Sequence, residues 1–409
     1  MPLSIHAIVE SLGAGAPCPF AVTLPDGTLH RFGSGEPAFT LHVRTEAAAL
    51  AAVARGHIGL LEAYFDGEVD VDGSFHAAMA VGLASDLARG TSPLIGAENR
   101  WHELLHSNRD RARAKANARF HYGLGEPFYR LWLDDPLKMY TCAYWREGTQ
   151  SLEEAQRNKI DHVIRKIRLA PGERYVDIGC GFGGFMFRAQ ETVGALGTGL
   201  NTTTEQVDWL RGEIERRGLA NRIAVREADF RDVDAQYDKV VSIGTLEHAG
   251  RDQLAEVVRA HADFLKPGGL GMLHFIGHVG RYDTELFIRK HVFPGGWIPS
   301  LADVVVEMER CGLEVVDVEN LRRHYAPTLD AWAERFERHW PQIQALDPRR
   351  FDERFRRIWR TYLVGCAEMF RAPSGYTHLW QIVFSKGNVT RENYPMSRAH
   401  LYLGSHDAR

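Results

Sequence analysis

The sequence predicts an α/β protein: a seven-stranded, Rossmann-like parallel sheet with helical insertions, preceded by a small N-terminal α+β domain. From about residue 172, short β-rich runs alternate with helical stretches, the pattern of parallel strands joined by crossover helices. The first of these runs passes straight into closely spaced glycines. A chain of 409 residues also exceeds one small core, and a boundary is expected between an N-terminal domain, residues 1–108, and a larger domain, residues 109–409.

In the N-terminal part, "FAVTLPDGTLHRFG" alternates apolar positions around Asp26 and Gly27, a hairpin signal. The alanine- and leucine-rich start of "TEAAALAAVARGHIGLLEAYFDGEVDVDG" suits a helix ended near Gly56, with a short acidic loop to follow. Residues 107–119, "SNRDRARAKANAR", carry Arg109, Arg111, Arg113, Lys115 and Arg119 on a linker or exposed helix. The plain reading is a solvated face; the sharper one is a strip for anionic lipid headgroups, each charge contributing about 1 kcal/mol.

The totals narrow the partners. Lys+Arg number 49 against 53 Asp+Glu, a net charge of -4, so wholesale attraction to nucleic acid is not expected. There is no apolar run long enough to span a bilayer, and "MPLSIHAIVE" has no signal-peptide character, which points to the cytoplasm. Cys18, Cys142, Cys180, Cys311 and Cys366 are odd in number and form no CxxC pair, so neither a disulfide framework nor a metal site is expected.

The sheet is expected from "RYVDIG", "ALGTGLN", "RIAVREAD", "YDKVVSIG" and "LGMLHFIG", completed by "GLEVVDVEN" and "LWQIVFSK". The Arg-, Trp- and Phe-rich stretch 321–375 reads as helices covering the site. In "YVDIGCGFGG", residues 175–184, a strand ends in Asp177, and Gly179, Gly181 and Gly183 let the backbone turn sharply and approach a ligand. Taken alone, a tight strand–helix turn or a dinucleotide fingerprint stays open.

The order D-I-G-C-G-x-G-G resembles the first motif of S-adenosylmethionine (SAM) methyltransferases. Phosphate binding would ask nothing of Asp177, whereas a cofactor with an ammonium group can use it. The ribose position of dinucleotide folds, at the end of the second strand, is here Asn201 in "GLNTTTEQ", which bonds without charge. Asp229 in "EADF" is expected at the adenine.

Three further segments join "KMYTCAYW" with Cys142: "IGTLEHAG" with Glu247 and His248, "MLHFIGH" with His274, and "HYAPTLDAW" with Tyr325. With "HYGLGEPFYRLWLD", "SLEEAQRNKID", "ERFERHWP" and "LWQIVFS" they resemble the cyclopropane fatty acid synthase family, including its mycolic acid counterparts, over nearly the whole chain from residue 121. The resemblance implies transfer of the SAM methyl carbon to the cis double bond of an unsaturated phospholipid acyl chain, followed by proton loss and ring closure. It also implies a bicarbonate base held by Cys142, Glu247, His274, Ile276 and Tyr325. Around SAM it places Tyr140, Thr141, Asp177, Gly179, Gly181, Asn201, Thr202, Gln206, Asp229 and Phe230.

An alkene that attacks a sulfonium methyl becomes a carbocation, which a strong charged nucleophile would intercept. The site therefore calls for a weak base, an apolar pocket and aromatic faces, with Tyr140, Tyr144, Trp145 and Phe275 as candidates worth about 0.5–2 kcal/mol each. Cys142 then reads as a wall of the anion pocket and not as an attacking thiolate. Singly, Cys142 would be a buried small hydrophobe, His274 a core histidine and Tyr325 a packing residue.

Two departures from the family pattern are Asn201, where many relatives have threonine, and Leu246, which replaces an aromatic and is expected to reshape the pocket beside Glu247. A methyl-branched or methylene product stays open on that account. The N-terminal domain resembles that of longer bacterial synthases acting on membrane phospholipid. This implies peripheral association with the inner membrane face, docked by residues 109–119 and the arginines of "RRFDERFRRIWR", and a homodimer would suit it. The competing readings are a small-molecule amine N-methyltransferase, which needs no bicarbonate pocket, and a lipid-binding scaffold that has kept the fold.

Overall fold

The computed structural model describes residues 4–85, 93–232 and 234–402. Contacts divide the chain into two compact units: Met1–Leu105 with Glu285–Val292 and Leu329–Gly375, and His106–Thr284 with Phe293–Thr328 and Tyr376–Arg409.

In the first unit, β1 (Phe20–Thr23) and β2 (Leu29–Phe32) form the expected hairpin. Thr28 N donates to Asp26 Oδ1 at 2.8 Å, and Gly27 takes φ +85 to close the turn. β3 (Phe39–Val43) runs parallel to β1 and antiparallel to β4 (Val69–Gly73), giving the order β2-β1-β3-β4. The acidic stretch read as a loop is thus an edge strand. Val69 and Val71 alternate with Asp70 and Asp72, and Asp70 is held by Arg44 at 2.7 Å and Arg357 at 2.6 Å. The helix does end near Gly56 as expected: within Glu46–Phe65 the backbone breaks where Gly56 takes φ 58 and ψ -137, and a second helical stretch follows across this kink. Phe20, Val22, Leu41, Ala52 and Phe65 share one core. The arginines of "RRFDERFRRIWR" are largely committed within this unit, Arg354 to Glu62 and Asp66, Arg356 and Arg360 to Glu337, and Arg357 to Asp70.

In the second unit all seven expected runs are strands: β5 (Arg174–Ile178), β6 (Leu196–Asn201), β7 (Ile223–Glu227), β8 (Tyr237–Ile243), β9 (Leu265–His278), β10 (Leu313–Asn320) and β11 (Thr377–Lys386). Their order is β10-β11-β9-β8-β5-β6-β7. The sheet is not wholly parallel, because β11 enters between β9 and β10 and runs against both. A strand buried on both faces reads as one apolar run whatever its direction, so the direction of β11 has no signature in its residues. Side chains alternate between two cores: Leu270 and Met272 of β9 join one, Leu273 and Phe275 the other. Among the described residues no helix is long and apolar enough to cross a membrane.

The kink at Gly56 yields a prediction of opposite sign to helix propensity. Alanine in a regular helix would stabilise by about 1 kcal/mol; in this glycine-only conformation Gly56→Ala should instead destabilise by about 1–3 kcal/mol. A raised melting temperature for the variant would mean the kink is absent.

Candidate active site

A cavity of about 150 Å³ opens where β5, β6 and β8 end. Tyr140, Thr141, Asp177, Gly179, Gly181, Asn201, Thr202, Gln206 and Phe230 line it, as do Tyr122, Lys138, Thr245 and His248. The glycines are there for backbone reasons. Gly179 has φ +77, and a Cβ on it would lie 2.2 Å from Thr245 Oγ1, which donates to Ile178 O at 2.8 Å. At Gly181, φ +53, a Cβ would project into open space. Asn201 orders the next loop, accepting from Thr203 N at 2.9 Å and donating to Gln206 Oε1 at 3.0 Å.

Asp229 stands apart from the cavity lining. Burial opposes its ionisation, but Arg231 Nε and Nη2 bind its two oxygens, each at 2.7 Å, and hold the carboxyl below its usual range. Its neighbours Ala228 and Phe230 reach the cavity instead. Asp177 does line it, and burial, eased by Lys159, pushes its pKa up to about 7. A ligand ammonium there would favour the ionised form.

Beside this cavity, residues 139–145 run without helix or strand. Gln156 Nε2 donates to Met139 O at 3.2 Å and Thr141 O at 2.9 Å, and Lys159 Nζ donates to Thr141 Oγ1 at 2.9 Å. Both come from the helix Leu152–Lys166. Thr141 in turn packs on Gly244, where a Cβ would meet its Cγ2 at 2.8 Å. Cys142 is fully buried, its thiol 3.3 Å from Ala143 O, and burial keeps it protonated.

The loop after β8 carries Glu247, whose Oε1 accepts from Ile276 N at 2.6 Å. Burial raises this carboxyl to about 7 even though Ile276 favours the ionised form, and Oε2 is buried without a partner among the described residues. Two residues before Ile276, His274 is buried and held neutral. Gln381 Nε2, opposite on β11, donates to its Nδ1 at 3.0 Å, which leaves the proton on Nε2, also buried and without a partner among the described residues. Tyr325 is buried on the helix Arg322–Arg338.

The aromatic candidates divide. Tyr140 lines the cavity and bonds His121 Nε2 at 3.0 Å. Tyr144 is stacked between His162 and His324, with centroids at 4.5 and 4.7 Å, and Trp145 binds Thr328. Phe275 points to the opposite face of β9 from His274 and joins the core there, together with Leu246. Leu246 is therefore buried as a core residue beside Glu247. In the basic strip, Arg109 pairs with Asp252, Arg111 with Asp232, Lys115 with Glu227 and Arg119 with Glu205, all four at the surface.

A glycine turn bearing a buried carboxylate, at the strand ends of this sheet, defines a SAM-dependent methyltransferase. The family described as mycolic acid cyclopropane synthetase matches residues 109–382, and a domain of unknown function matches residues 8–86. Among curated relatives, a probable fatty acid methyltransferase of Pseudomonas putida is 35% identical over 83% of this chain and 85% of its own. The cyclopropane-fatty-acyl-phospholipid synthase of Escherichia coli is 34% identical over 81% and 84%. The cyclopropane synthase MmaA2 of Mycobacterium tuberculosis superposes with a TM-score of 0.62 at 31% identity, over 66% of this chain and 98% of that one. The mycolic acid cyclopropane synthase CmaA1, solved with SAH and CTAB, gives 0.62 at 32% over the same shares. The chain belongs to the mycolic acid cyclopropane synthetase family, and SAM is its methyl donor.

Sequence reasoning overlooked Lys159, Gln381 and Thr328. Gln381 had a signal, a lone amide inside the apolar run "LWQIVF", since a buried polar group needs a partner.

Glu247 provides a pH test. Its carboxyl is raised from an ordinary 4.5 to about 7, so its contribution to stability is full below 4.5 and is lost as pH rises through 7. Relative to Glu247→Gln, which can still accept from Ile276 N, the parent protein should lose melting temperature between pH 4.5 and 7 and then level off. A difference independent of pH would show that Glu247 is not held protonated.

Proposed function

We propose that the protein is a cyclopropane synthase acting on unsaturated acyl chains of phospholipid, with bicarbonate as the base. The alkene π electrons form a bond to the SAM methyl carbon as the carbon–sulfur bond breaks onto sulfur. The resulting carbocation loses one proton of the transferred methyl, and the electrons of that C–H bond close the ring.

The observation that carries this reading is a buried orphan acceptor, Glu247 Oε2, and a buried orphan donor, His274 Nε2–H, flanking one stretch of β9. Bicarbonate offers both a hydroxyl for the first and oxygens for the second, and when bound it supplies a weak base. Glu247, near its midpoint at neutral pH, can share that hydroxyl proton. His274 stays neutral and orients an oxygen, and the protonated Cys142 offers the cation no nucleophile. Tyr325 is assigned as a further donor.

Two features support lipid as the substrate. The first unit has an apolar cavity of about 150 Å³, lined by Phe20, Phe39, Leu41, Leu61, Phe75 and Met79 among others, suited to part of an acyl chain. The helix Pro93–Leu105 turns Leu94, Trp101 and Leu104 outward, at 62%, 63% and 69% exposure, with Arg100 beside them. This Trp and Leu face is assigned to the bilayer in place of the ion-paired arginines. Burying such side chains is worth about 1.5–3 kcal/mol each, so Trp101→Ala/Leu104→Ala should pellet at least about tenfold less with anionic phospholipid vesicles while binding S-adenosylhomocysteine normally. Equal pelleting would move the docking surface elsewhere.

The reaction is tested by mass spectrometry of cis-unsaturated phospholipid vesicles incubated with deuteromethyl SAM, with and without bicarbonate. Two retained deuteriums in a ring product, dependent on bicarbonate, are expected, and Glu247→Gln should lose turnover by about 10²–10⁴-fold while retaining cofactor binding. Three retained deuteriums would indicate simple methylation, and label absent from lipid would reject the substrate class.

A further inference from the structure

We propose that Thr328 is a positioning residue: its hydroxyl fastens the Cys142 segment to the helix that carries Tyr325 and so sets the spacing of those two groups. This rests on the assignment of Cys142 and Tyr325 to the anion pocket.

Thr328 is fully buried. A hydroxyl has one proton and two lone pairs, and all are used here. Thr328 Oγ1 donates to His324 O at 2.7 Å, the ordinary back-bond of a threonine within a helix. That bond aims both lone pairs off the helix, where they accept from Ala143 N at 3.1 Å and Trp145 Nε1 at 3.0 Å. One turn earlier His324 Nδ1 accepts from Trp145 N at 3.0 Å while its ring lies on Tyr144. Tyr325 precedes Thr328 by three residues, on the same side of the helix. Residues 142–145 make no sheet of their own, so their seat on this helix depends on these bonds.

The test compares Thr328→Val, which keeps the shape and removes both acceptors, with Thr328→Ser, which keeps them. With the full chain, phospholipid vesicles and SAM, Thr328→Val should lower kcat by roughly tenfold or more, with affinity for S-adenosylhomocysteine within about twofold, and Thr328→Ser should restore kcat. The Trp145 indole N–H resonance should shift and exchange faster in the valine variant only. Equal kcat in all three, or equal impairment of valine and serine, would overturn the proposal. If Thr328→Val does not fold, His324→Phe keeps a ring on Tyr144 and removes the other acceptor, and unchanged kcat there would overturn it as well. A parent protein that labels no lipid would refute the substrate reading instead, while the indole resonance still decides whether the bond exists.

Discussion

A buried stretch of backbone without regular structure must find a partner for every N–H and C=O from elsewhere, and residues 139–145 live under that constraint. The helix Leu152–Lys166 serves one side through Gln156 and Lys159; Thr328 and His324 serve the other. Because Thr141 lines the cofactor cavity and Cys142 follows it directly, the same bonds that satisfy this backbone join the cofactor cavity to the anion pocket proposed at Cys142. The polar interior here is therefore a means of holding two sites in register, and its loss would be felt at both.

The ionisable groups around that segment are mostly discharged by burial. Asp177 and Glu247 are pushed toward neutrality, His248 and His274 are held uncharged, the Cys142 thiol keeps its proton, and burial lowers Lys159 against the pull of Asp134. Such an interior accepts charge from a ligand more readily than it supplies its own. That suits chemistry in which a sulfonium arrives, a cation forms on carbon, and a strong base beside it would be alkylated.

Much of this was legible in the chain, and for identifiable reasons. The seven strands announced themselves as apolar runs, and the glycine turn as a spacing that only backbone geometry requires. Side-chain direction was harder. Phe275 lies between His274 and Ile276, so strand alternation alone would have turned it away from them, and the burial of Leu246 beside Glu247 depends on a short turn that no periodicity reveals. The pairing of Asp229 with Arg231, two residues on, depends on a short turn whose shape the sequence does not display. The basic residues of 109–119 could not be told from a free surface until their acids, distant in sequence, were seen beside them. Nor could the chain show that residues 329–375 gather with the N-terminal unit.

The position of β11 has a consequence for how the protein is made. Residues 377–386 are synthesised long after β9 and β10, yet they lie between them. Until that strand emerges, β10 has no neighbour in the sheet and His274 has no Gln381 to fix its tautomer. Completion of the sheet around His274 is thus deferred until translation has passed residue 386, and a nascent chain stalled before Thr377 would expose an open, adhesive sheet edge.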